Sequence, residues 1–109
     1  MIRVPLPPSA HTKAPATKRE WRESVRDALA QIAHPPSYLL TLTIELHGPW
    51  MVGGKLDPKM ADLDRLWTPL QDALAEAVRF NDRQVWRASV VKVQSEDAYA
   101  LVRLDAFVT

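Results

Sequence analysis

Residues 40–47 read Leu40-Thr41-Leu42-Thr43-Ile44-Glu45-Leu46-His47. Apolar and polar side chains alternate without a break. Successive side chains of a strand point to opposite faces, so the four aliphatic residues share one face and the polar four share the other. This predicts a central strand with one buried face. A sheet of that kind needs a cover, and the segments on either side supply it.

On the N-terminal side, Trp21, Val25, Ala28, Leu29 and Ile32 recur at helical spacing. Thr17 with Glu20 three residues on has the spacing of a capping box, and Pro35-Pro36 stops the helix. Residues 9–16 read as an irregular loop. Before it, Ile2, Val4 and Leu6 alternate with Arg3 and Pro5, a short strand placed at a sheet edge by its proline. On the C-terminal side, residues 48–61 hold all three glycines and read as a long loop. Leu63, Leu66, Leu70, Ala73, Leu74 and Ala77 then share a helical face. Pro69 leaves two starts open: Thr68 as the N-cap with Gln71 completing a capping box, or a start near Asp64 with Pro69 just inside. Two strands close the chain, Val85–Val93 and Tyr99–Val108, and read as an antiparallel hairpin. The expected fold is α/β (α+β), a single small domain over residues 1–109. Its order is β-α-β-α-β-β, with two helices packed on a mixed four-stranded sheet.

The chain has 109 residues, 47% hydrophobic and 25% charged, the balance of one globular domain. It contains no cysteine, which excludes a disulfide scaffold, a zinc finger and a thiol nucleophile. No signal-peptide pattern or membrane-length apolar run is present, so the expected location is cytoplasmic with no membrane partner. Fourteen basic against 13 acidic residues give a net charge of +1. Residues 1–59 carry eight basic and five acidic side chains, and residues 60–109 carry six and eight. That distribution suits an acidic pocket in a mildly basic body.

The chemistry concentrates in Asp62-Leu63-Asp64 and in Asp82. In extended chain Asp62 and Asp64 point the same way. If the strand after the second helix runs beside that helix's start, Asp82 joins them. Two ionised carboxylates 4 Å apart repel by about 4 kcal/mol at an effective dielectric near 20, so such a cluster takes up protons or binds a cation. Oxygen ligands without His or Cys suit Mg²⁺ or Mn²⁺, which can activate water against a phosphodiester. Taken singly, the same residues are ordinary helix caps and turn residues.

At these positions the sequence resembles the RusA family of Holliday-junction resolvases. The family stretch D-L-D-N-L-x-K-P-x-x-D-A-L falls on Asp62-Leu63-Asp64-Arg65-Leu66-Trp67-Thr68-Pro69-Leu70-Gln71-Asp72-Ala73-Leu74. Its D-D-x-Q-[IV] falls on Asn81-Asp82-Arg83-Gln84-Val85, its strand lysine on Lys92, and its opening P-P-S on Pro7-Pro8-Ser9. The resemblance implies a homodimeric, Mg²⁺-dependent endodeoxyribonuclease that resolves four-way DNA junctions. Asp62, Asp64 and Asp82 would be the metal ligands, with Lys92 assisting. The chain departs from the pattern at Arg65 and at Thr68, where the family has asparagine and lysine, and at Asn81. Loss of one such charge often costs about 10²–10³ in rate. The alternative is a weak or inactive relative that binds branched DNA. Lys13, Lys18, Arg22, Lys55, Lys59 and Arg65 are candidate DNA contacts, positioned for phosphates rather than for bases. The row Lys18-Arg22-Arg26 reads equally as a solvated helix face. Trp50 reads as a loop anchor or as a stacking surface for a base.

Overall fold

The computed structural model describes residues 1–8, 15–57 and 63–108. Six strands and two helices follow in order: β1 (Ile2–Val4), α1 (Pro15–Ala30), β2 (Leu40–Gly48), β3 (Met51–Val52), β4 (Lys55–Leu56), α2 (Leu63–Val78), β5 (Val85–Gln94) and β6 (Tyr99–Ala106). A single 3₁₀ turn, Asp82–Gln84, leads into β5. The main sheet has the strand order β1-β6-β2-β5, with β2 and β5 parallel and the remaining pairs antiparallel. Two helices on a mixed four-stranded sheet are what the hydrophobic pattern required.

The strand at residues 40–47 is the middle of this arrangement. Leu40, Leu42, Ile44 and Leu46 are all fully buried, facing the helices, while Thr41, Thr43, Glu45 and His47 lie half-buried on the opposite face. Each buried aliphatic side chain contributes about 1.5–3 kcal/mol relative to exposure. Trp21, Val25 and Leu29 of α1 and Leu66, Leu70, Ala73 and Leu74 of α2 complete the core. The polar face is held by lateral contacts instead. The Arg3 guanidinium lies 3.9 Å over the Tyr99 ring. Tyr99 stacks on His47 at 4.5 Å, and His47 Nε2 donates to Glu45 Oε1 at 2.9 Å.

Three expectations change. The last two strands are not a hairpin: β5 and β6 flank β2 on opposite sides. The connection between them crosses the end of β2, where the Ser95 amide donates to the Gly48 carbonyl at 2.9 Å. The loop at 48–61 contains a small hairpin, with Met51 opposite Leu56 and Val52 opposite Lys55. Gly53 and Gly54 turn it, both at positive φ (60° and 78°), as a tight two-residue turn of this hand requires. Finally, α1 begins at Pro15, so Thr17 lies inside its first turn and does not cap it. A proline with fixed φ suits that first helical position.

Of the two starts for α2, the earlier is the one adopted, with Pro69 inside the helix. Pro69 has no N–H to offer the carbonyl of Arg65 four residues back. The far end closes without a glycine. Arg79 sits at φ 67°, and the amides of Arg79 and Phe80 both donate to the Ala75 carbonyl, at 2.9 and 3.1 Å. Phe80 is thereby turned into the core. The geometry is that of a left-handed helix cap, the position most often given to glycine. A side chain there costs about 1–2 kcal/mol. Arg79→Gly should therefore stabilise the fold by about 0.5–1 kcal/mol, after the added freedom of the unfolded chain is deducted. Calorimetry should show a rise in Tm of roughly 3–6 °C, as expected for a domain of this length.

Candidate functional site

The two halves of the candidate site lie at opposite ends of α2. Asp64 is exposed in the first turn of the helix. Asp82 is exposed in the 3₁₀ turn that follows the helix and opens β5. From Asp64 to Val78 an α-helix advances about 21 Å, at ~1.5 Å per residue. The helix then runs back along β5, so its start lies near the C-terminal end of that strand while Asp82 lies at the strand's beginning. Asp82 therefore does not join Asp64 at the helix start within one chain. Asp62 lies outside the described residues, as do Lys13 and Lys59. Among the described residues no three His, Cys, Asp or Glu side chains lie close enough to hold a metal ion. The described carboxylates of one chain therefore do not fit a joint Mg²⁺ or Mn²⁺ site.

Each end is a defined structure. At the Asp82 end, the Asn81 side chain accepts from the Arg83 amide at 3.0 Å, and the Asn81 amide donates to Gln84 Oε1 at 2.8 Å. Gln84 Nε2 also donates to the Tyr38 carbonyl at 2.9 Å, tying the turn to the segment that enters β2. Gln84 thereby fixes the entrance to β5 by reciprocal capping. Asn81 is the cap, and Asp82 is the first residue of the turn, with its side chain in solvent.

At the other end, the C-terminal ends of the parallel pair β2 and β5 meet the β3–β4 hairpin. Ligands of open α/β sheets commonly bind outside the carboxyl ends of parallel strands. Trp50 is buried there, its indole N–H shared between the Leu46 carbonyl at 2.9 Å and the Val93 carbonyl at 3.0 Å. Trp50 is thus the loop anchor and offers no free face for stacking on a base. Gly48 makes room for it, since a Cβ at Gly48 would come within 3.1 Å of the indole. Lys92 pairs with Leu46 in register and so lies on the helix-facing side of the sheet. Its ammonium stands 4.7 Å over the Trp50 ring. Gln94 holds the base of the hairpin, its side chain accepting from the Met51 amide at 3.0 Å and donating to the Met51 carbonyl at 3.4 Å. Lys55 sits exposed on that hairpin. Sequence reading missed Gln94, because a glutamine at a strand end carries no local pattern.

The structure thus gathers Lys92 and Lys55 at the end where α2 starts with Asp64 and Arg65, and leaves Asp82 at the other. Lys18 and Arg22 lie elsewhere, between the helices. With Arg19 they line a cleft of about 460 Å³ that also includes Pro8, Trp21, Thr68, Pro69 and Asp72. Arg22 additionally pairs with Glu76 at 3.5 Å, an exposed contact of little energetic weight. Trp86 is largely exposed, tilted against Phe107 at 5.9 Å. The chain matches no protein-family model, and no curated protein matches it significantly.

Replacing Gln84 by Ala removes one half of the reciprocal cap, the bond from the Asn81 amide, and the tie to Tyr38. Chemical denaturation should report a loss of about 1–2 kcal/mol, the usual range for a lost cap with an added side-chain bond. Trp50→Phe should cost more, because it removes the N–H that the carbonyls at the ends of β2 and β5 both accept. A loss of about 2–3 kcal/mol is expected from the same measurement.

Proposed function

We propose that the protein is an endodeoxyribonuclease acting on branched DNA, of the kind the RusA resemblance implies. The observation that carries this reading is one coincidence of spacing. In sequence Asp62 directly precedes Leu63-Asp64, which opens a helix with Pro69 inside it, and Asp82-Arg83-Gln84-Val85 opens the next strand with Lys92 further along. Three of those parts have a definite place in the fold. Asp64 stands at the start of α2, Gln84 fixes the entrance to β5, and Lys92 sits on the helix-facing side near the end of that strand.

The protein's own groups would act as follows. The exposed carboxylate of Asp64 faces solvent at a helix N-terminus, where a phosphate ester can approach. Lys92 and Lys55 bring positive charge to the same end, and Arg65 lies one residue beyond Asp64. Such groups position a DNA backbone and add salt dependence without reading sequence. A four-way junction offers symmetry-related strands, so a homodimer is the natural form of the enzyme. Asp64 and Asp82 of one chain, at opposite ends of α2, would not share a divalent cation. No helix among the described residues is long and apolar enough to cross a membrane.

A second reading is favoured by Thr68, which stands where the family has a lysine and lines the cleft beside Lys18, Arg19 and Arg22. On that reading the chain binds branched DNA and cuts it slowly.

Incubation with a labelled four-way junction and Mg²⁺ tests both. Paired nicks that disappear with Asp64→Asn, while gel-shift binding persists, are the expected result. Thr68→Lys should maintain or raise the cleavage rate. Trace cleavage equal in wild type and Asp64→Asn would leave only the binding function.

A further inference from the structure

Both helices pack on the face of the sheet that carries the buried side chains of β2. On the opposite face Thr41 lies between Arg87 of β5 and Asp105 of β6, and Thr43 lies between Ser89 and Arg103. β5 departs from regular pairing at one place there. The register shifts between Leu40 and Thr41, so Trp86 is an extra residue of β5 without a counterpart on β2. A bulge of this kind re-aims a side chain. Trp86 leans towards Phe107, with 5.9 Å between ring centres and 53° between planes. The Arg87 guanidinium stands 5.2 Å over the same Phe107 ring. The Phe107 amide donates to the Leu39 carbonyl at 2.9 Å, which fixes its backbone at this end of the sheet. Trp86 remains 63% exposed. With only a tilted neighbour, its indole keeps a ring face open to solvent.

The charges of this face follow the same layout. The strands bring it three arginines, Arg3, Arg87 and Arg103, and two carboxylates, Glu45 and Asp105. Both carboxylates are engaged, since Asp105 accepts from Arg103 at 2.8 Å and Glu45 from His47 at 2.9 Å. Arg3 and Arg87 stand over rings instead. At the far end both faces of the Tyr99 ring are taken, by Arg3 and by His47. The open ring is therefore at the Trp86 end.

We propose that this open face binds single-stranded DNA, with an unpaired base stacked on Trp86 and neighbouring phosphates held along Arg87 and Arg103. Three features choose this occupant. A free indole face matches the flat face of a nucleobase, which a duplex hides and an unpaired strand presents. The guanidiniums supply charge for phosphates, and the hydroxyls of Thr43 and Ser89 lie in the row that leads from Arg87 to Arg103. A protein partner would call for an apolar interface core, whereas the exposed apolar side chains here, Trp86 and Val91, are separated by Arg87 and Ser89. That the strand is DNA rests on the nuclease reading. The platform itself uses neither Asp64 nor Asp82.

The probe is a fluorescein-labelled oligothymidylate of about 12 nucleotides, within the usual span of one small domain. EDTA keeps cleavage out of the titration. Wild type should bind it more tightly than a duplex of equal length. Trp86→Ala should weaken binding about ten-fold, the effect of one lost base stack, with an unchanged circular dichroism spectrum. Trp86→Phe keeps a ring and should retain most of the affinity. Unlabelled thymidylate should quench the tryptophan fluorescence of wild type. Trp86→Phe should remove most of that quench, because Trp21 and Trp50 are buried and Trp67 is half-buried. Arg87→Ala should reduce the slope of log K against log salt by about 0.7, the share of one phosphate on a single strand.

Unchanged affinity in Trp86→Ala, or no binding by folded wild type at about 100 µM and low salt, overturns the platform. Tighter binding of the duplex overturns the preference for a single strand, and tighter binding of oligouridylate overturns the assignment to DNA. A dimer that Trp86→Ala dissociates and thymidylate does not would give the face to a second copy and overturns the proposal. The nuclease reading fails separately. Trp86-dependent binding by a protein that leaves four-way junctions uncut upholds the platform, while cleavage without such binding overturns the platform alone.

Discussion

The structure depends on β2 being apolar on one face and hydrogen-bonded on both sides. Its four aliphatic side chains are the centre of the core, and its backbone is the only one in the sheet with a long strand on each flank. Both helices pack on the side those side chains define. Every element that bears on function is placed relative to it. β5 takes its register from β2, α2 crosses from the end of β2 to the beginning of β5, and Trp50 locks the ends of both strands through one N–H.

This arrangement separates two kinds of end. Where the parallel strands finish, Trp50, Gln94 and Lys92 form a braced platform and the helix begins with exposed carboxylate. Where they start, Asn81 and Gln84 cap a turn that presents Asp82. A rigid helix of four to five turns keeps these ends apart. The chain cannot bring them together by loop movement without dismantling the core that Leu66, Leu70 and Leu74 make with β2.

The strand at 40–47 and both helices were legible because their apolar spacing repeats over two or more turns, and local repetition is what sequence displays. Thr17 misled because Thr-x-x-Glu has capping spacing wherever it occurs, and the position of Pro15 outweighed it. The loop at 48–61 hid a hairpin because two-residue strands have no periodicity, although Gly53-Gly54 was its signal. Trp50 could not be assigned from its neighbours, because its hydrogen-bond acceptors lie on two strands, one of them 43 residues away.

The sequence by itself determined the class of fold, the central strand, the two helices and the spacing of the aspartates. All of these follow from side-chain polarity read at periods of two and 3.6. Only the tertiary structure decided which strands are neighbours. β5 and β6 are adjacent in sequence, yet β2 separates them, because strand pairing is settled by competition among distant segments for the same hydrogen-bonding edge. It likewise decided that Asp64 and Asp82 stand apart. The length of α2 was written in its apolar repeat, but its direction along β5 was not, and that direction turns a spacing in sequence into a distance in space.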